Sequence, residues 1–145
     1  MQVDFYHLTR DPAEKLVPVL ASKCLDADVK ILIISDDGDQ RTKLSGALWG
    51  HSATSFLAND FSGSEQEAHQ PILISNECHP ANAAEFILIT DGKWRRAALD
   101  FKRTFYLFTD EKITEARTAW RELSANSNVT PRYWKQDGSR WVEGP

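Results

Sequence analysis

A chain of 145 residues with 41% hydrophobic and 26% charged side chains has the composition of an ordinary globular domain, which excludes disorder as its main state. Its formal net charge of −4 argues against a protein built mainly to hold nucleic acid. The charge is uneven: residues 1–92 carry six Lys/Arg against fourteen Asp/Glu, whereas residues 93–145 carry eleven against seven, so an acidic partner is to be sought at the C-terminal third, although solvated charges split by chance explain the asymmetry equally well.

The opening residues have an acid at position 4 and no apolar core, so they do not read as a signal peptide. Val3–Leu8 is the first β-prone run. Asp11 followed by Pro12 reads as an N-cap and first helical residue, opening a helix with Leu16, Leu20 and Cys24 on one face. Pro18 removes a backbone donor inside it, predicting a kink or a late start. Lys30–Ser35 is continuously apolar, as expected of a strand covered on both faces. A second helix is expected from Asp37–Asp39 to Trp49, and a short strand at Ser55–Leu57. Residues 58–70, rich in Asn, Asp, Ser, Gly and Glu, read as a loop. Pro71–Ser75, Phe86–Thr90 and Thr104–Phe108 are further strands, with helices over Trp94–Lys102 and Glu111–Leu123. The tail alternates around Asp137-Gly138 and reads as a hairpin over 131–145, an appendage to a single domain spanning 1–145. Short apolar strands alternating with helices predict a three-layer α/β/α sandwich on a mainly parallel sheet.

Catalytic motifs are sparse. The acids Asp36, Asp37 and Asp39 follow a strand, where a receiver-like or nucleotide-handling domain would hold magnesium, but capping of the next helix explains them more simply. No glycine-rich phosphate loop follows any strand. His7, His51, His69 and His79 are scattered without metal-ligand spacing, and Cys24 and Cys78 form no paired motif. No cofactor, no metal and no catalytic activity are expected. Two lone cysteines suit a reducing compartment, and no apolar run approaches a membrane span, so the protein is expected to be cytoplasmic.

Three aromatic features suggest binding instead. Trp49 and Phe56 stand seven residues apart at a helix end and a strand start; on composition alone both rings fit a core better than an interface. Arg117 and Arg121 are one turn apart, with Trp120 three residues beyond Arg117. Such a face suits an acidic peptide ending in an apolar side chain and a carboxylate, though solvated arginines beside a buried indole explain it equally well. The tail residues Arg132, Tyr133, Trp134, Lys135, Arg140 and Trp141 could stack bases, but their alternation fits a packed hairpin better.

Taken in order, Val3–Leu8, the Leu44–Trp49 stretch followed by Ser55–Leu57, Asp100–Arg103 and the Ala116–Arg121 helix resemble the chi subunit family of DNA polymerase III holoenzyme. The resemblance implies a Rossmann-like α/β/α fold without a nucleotide site, and no activity of its own. It implies two protein partners: the psi subunit, or an equivalent in the clamp loader, and the acidic, phenylalanine-ending tail of single-stranded-DNA-binding protein. DNA would then be contacted only indirectly. Trp49 and Phe56 match the positions facing psi, and Arg117, Trp120 and Arg121 match the helix that receives the tail. This chain has Leu57–Asp60 where the family has Pro-His, and the tail from Arg132 runs longer than in some relatives.

Overall fold

The computed structural model describes residues 1–51, 57–138 and 140–144. Eight strands form one sheet: β1 (Gln2–His7), β2 (Ile31–Ile34), β3 (Asn59–Phe61), β4 (Ile72–Ser75), β5 (Phe86–Ile89), β6 (Arg103–Phe108), β7 (Thr130–Asp137) and β8 (Arg140–Glu143). Their order is β3-β4-β2-β5-β6-β1-β7-β8, and every pair is parallel except β7 with β8. The helices are α1 (Ala13–Asp26), α2 (Gly38–Trp49) and α3 (Ile113–Ser124). This is the expected α/β architecture on a mainly parallel sheet, with the hairpin at its end.

The runs Ile31–Ile34 and Ile72–Ser75 are buried throughout because helices or loops cover both of their faces. On one face α1 and α2 pack over Ile31, Ile33, Ile72, Ile74, Leu88 and Leu107. On the other, Ala116, Ala119 and Leu123 of α3, with Ala98 and Phe101, cover Val3, Phe5, Leu32, Ile34, Ile87 and Phe108. Each fully buried aliphatic side chain contributes roughly 1.5–3 kcal/mol. Alternation along β1 therefore sends Phe5 and His7 toward α3, and Tyr6 and Leu8 toward α1.

Several local expectations are corrected. Pro12, not Asp11, is the N-cap of α1, and no side chain caps it; the Asp11 carboxylate instead accepts from Gln136 Nε2 at 2.8 Å. The helix runs through Pro18, which is buried, so only one backbone bond is lost. Where a helix was expected over Trp94–Lys102, there is a 3₁₀ turn at Arg96–Asp100. There the Trp94 N–H is held by Glu115, Arg95 is drawn into an ion pair with Asp91, and β6 already begins at Arg103. The stretch expected as a loop over 58–70 contains the edge strand β3 and a 3₁₀ turn at Glu67–His69. The strand expected at Ser55–Leu57 falls largely outside the described residues, while Leu57 is buried but not in a strand.

The hairpin turn places Asp137 opposite Arg140, with Gly138 at φ +63°, the left-handed conformation that glycine adopts at least cost. The tail is continuous with the main sheet, because β7 pairs along the whole length of β1. No helix among the described residues is long and apolar enough to cross a membrane.

Candidate functional site

Beyond Ile113, α3 lays Ala116, Ala119 and Leu123 into the core, which leaves Arg117 and Arg121 exposed on the outer side. Trp120 lies between the two faces. Its ring meets Phe5 edge-on at 5.1 Å and Tyr133 edge-on at 5.9 Å, so it is half-buried and fixed in place. The helix and β7 form the walls of a groove of about 780 Å³, lined by His7, Asp110, Ile113, Ala116, Arg117, Trp120, Arg121, Tyr133 and Lys135. The three residues singled out from the sequence are thus brought together, with an apolar floor beneath three cations.

The far wall could not be read from the sequence. Tyr133 and Lys135 point to the α3 side because they alternate along β7, and β7 stands beside β1. The buried His7 ring links the walls. Its Nε2 lies 2.6 Å from Asp110 Oδ1 and its Nδ1 2.8 Å from the Tyr133 hydroxyl; the neutral tautomer that donates from Nε2 to the carboxylate accepts from the hydroxyl at Nδ1. Burial pushes the Tyr133 phenol up, opposed by nearby Arg117 and reinforced by Asp110. Asp110 is itself exposed and, among the described residues, is the only acid lining the groove, against Arg117, Arg121 and Lys135. The alternation of the tail was a usable signal for Tyr133 and Lys135; the pairing of β7 with β1 had none.

The other predicted surface lies over the opposite end of the sheet. Helix α2 packs over β3 and β4, whereas α3 contacts β7. Trp49, the last residue of α2, is 47% exposed, contrary to the preference for core that composition alone suggests. Phe56 lies outside the described residues. Phe61 on β3 is a second exposed aromatic ring at that end, one the sequence reading did not single out.

The acids after β2 have other work. Asp37 caps α2, accepting from the backbone N–H of Asp39 at 2.9 Å and of Gln40 at 3.3 Å. Asp36 receives Lys93 Nζ at 3.2 Å and Arg95 Nη2 at 3.0 Å, and these two cations hold its carboxyl below the usual range. Burial pushes Asp91 up, but the bidentate Arg95 fork and the N–H groups of Asp36 and Lys93 outweigh it and hold this carboxyl low. Gly92 makes the turn at φ +74°, where an added Cβ would meet Lys112 Cγ at 2.6 Å. Of these acids, Asp36 and Asp91 are thus paired with Lys93 and Arg95, and Asp37 serves as the helix cap. Among the described residues no group of three or more His, Cys, Asp and Glu is placed to hold a metal ion.

A relative from Rickettsia prowazekii (strain Madrid E), described as a probable DNA polymerase III subunit chi, is 30% identical over 90 residues. The alignment covers 61% of this chain and 54% of the relative, so the chain spans about half the length of the curated relative it matches. The family model described as DNA polymerase III chi subunit, HolC, matches residues 1–129 and stops just before β7. With most of its length inside that match, the chain belongs to the DNA polymerase III chi subunit family.

Proposed function

We propose that this protein is a non-catalytic accessory subunit of the replicative DNA polymerase III holoenzyme. It links the clamp loader, through psi or an equivalent subunit, to the C-terminal tail of single-stranded-DNA-binding protein. The observation that carries the reading is the groove between α3 and β7, where Arg117 and Arg121 stand beside the half-buried ring of Trp120. A terminal phenylalanine would rest on the apolar floor while its carboxylate takes a guanidinium fork, and acidic residues before it would meet the remaining cations. The position of Trp49 at the other end of the sheet supports a molecule that engages two partners at once.

The direct test is titration with a synthetic acidic peptide ending in phenylalanine. Binding is expected in the micromolar range and should weaken as salt rises, because the cations are solvent-exposed. Arg117→Ala should weaken it by about tenfold without lowering the melting temperature, since the loss is that of a charge-assisted contact and not of packing. No binding at low salt would remove the tail-receptor half of the proposal. For the other half, Trp49→Ala should lose a clamp-loader partner on co-purification, and unchanged recovery would count against it.

A further inference from the structure

Helix α1 and the C-terminal hairpin enclose a second groove, on the face of the sheet opposite α3. It holds about 510 Å³, between Leu16, Val19 and Leu20 of α1 and Trp134, Gln136 and Trp141 of the hairpin. Its far wall comes from β7 and β8, beyond the last residue matched by the family model. The wall is fixed by Gln136, only 6% exposed. That side chain accepts from the N–H groups of Arg10 at 3.0 Å and Asp11 at 3.2 Å, and donates to the Asp11 carboxylate at 2.8 Å. Tyr6 stacks on Trp134 at 6.5 Å and meets Trp141 edge-on at 5.3 Å, which holds both indoles against the sheet.

The chemistry of this groove is specific. Lys15, Val19 and Lys23 are spaced four apart, so they form one stripe along α1, with Val19 41% exposed between two lysines. Leu16, Leu20, Trp134 and Trp141 extend that apolar strip across the groove. Arg10 completes a positive rim. Its one acid, Asp11, already accepts from Gln136 and Lys15, and Lys23 has no ion pair among the described residues. The ring of Tyr6 packs among Phe105, Trp134 and Trp141. The volume suits two or three large apolar side chains.

We infer that the groove between α1 and the C-terminal hairpin is a second docking surface, for an acidic segment of a protein partner carrying two or three large apolar side chains. The apolar residues settle on Val19, Leu20 and the two indoles, and acids flanking them meet Arg10, Lys15 and Lys23. This groove is separate from the one proposed for the tail, and neither reading depends on the other.

The test uses the whole protein and a twelve-residue peptide with two leucines and a phenylalanine among glutamates, its C-terminus amidated so that it offers no free carboxylate. Tryptophan indole N–H signals report which groove is filled. The signals of Trp134 and Trp141 should shift and saturate while that of Trp120 stays still. Val19→Asp puts a charge on the apolar strip at an exposed position and should weaken binding by at least about tenfold. Lys23→Glu should weaken it several-fold, and a peptide with lysine in place of glutamate should not bind. The inference is overturned by any of four outcomes: no saturable shift at millimolar peptide; equal binding of the lysine peptide; tighter binding of oligothymidylate at the same two signals; or self-association of the protein that Val19→Asp abolishes. The first two remove the site, the third assigns it to single-stranded nucleic acid, and the fourth to a second copy of the chain.

Discussion

Strands β4, β2 and β5 share a sheet with β7 and β8 but not an environment. Ile31–Ile34 and Ile72–Ser75 have every residue buried, whereas along β7 only Gln136 is buried, and along β8 no residue is. The covering is the cause: α1 and α2 on one face, and α3 with the Ala98–Phe101 segment on the other, close over the centre of the sheet, while α3 reaches only the near strand of the hairpin, β7. Where the covering ends, a groove opens between helix and strand on each face. The centre holds the fold together, and the flank keeps a groove open on each face.

The contrast can be broken at its strongest point first. Ile33→Ala, in the closed centre, removes most of a fully buried side chain and should cost about 2–5 kcal/mol in chemical denaturation. A cost under about 1 kcal/mol would mean that the centre is not where stability resides. Next comes the seam between centre and flank. Asp4 is wholly buried on β1 and receives Arg103 Nη2 at 2.7 Å and Nε at 2.8 Å, with Gln2 and Trp134 as further donors. Arg103→Ala strands that carboxylate and should cost about 3 kcal/mol, near the lower end of the range for a broken buried pair because Arg103 is itself partly exposed. Arg103→Lys keeps the charge and loses the fork, so it should recover only part of that loss.

The smallest effect sharpens the contrast by pH. The Asp91 carboxyl is depressed in the folded chain, so its contribution is fully present above the ordinary carboxylate range of about 4 and is lost as pH falls through its lower folded value. Asp91→Asn should flatten the acid limb of the stability profile and leave the profile above pH 6 parallel to that of the parent chain. A full acid limb in the variant would assign it to other carboxylates.

How much could be read beforehand follows the same division. Ile31–Ile34 and Phe86–Ile89 announce themselves because a strand covered on both faces needs an unbroken apolar run. The Arg117, Trp120 and Arg121 face was legible from helical spacing, a local property. The far walls of both grooves were not, since they depend on β7 lying beside β1 across more than a hundred residues of chain, and alternation within 130–137 says nothing about which strand it pairs with. The buried Asp4–Arg103 pair was missed for a related reason: one acid within β1 gives no hint of a cation on another strand. Trp94–Lys102 misled in the opposite sense, because its helical composition yields to the Arg95–Asp91 ion pair and to the early start of β6.

One further consequence follows from β7 serving both faces, with Tyr133 and Lys135 turned to one side and Trp134 and Gln136 to the other. Inserting a single residue just ahead of Tyr133, with pairing to β1 otherwise kept, would exchange the two sets and spoil both grooves in one stroke. Single-residue length changes are therefore closed to this strand as a way of tuning one surface alone, whereas replacement of one side chain by another can alter one groove while sparing its neighbour.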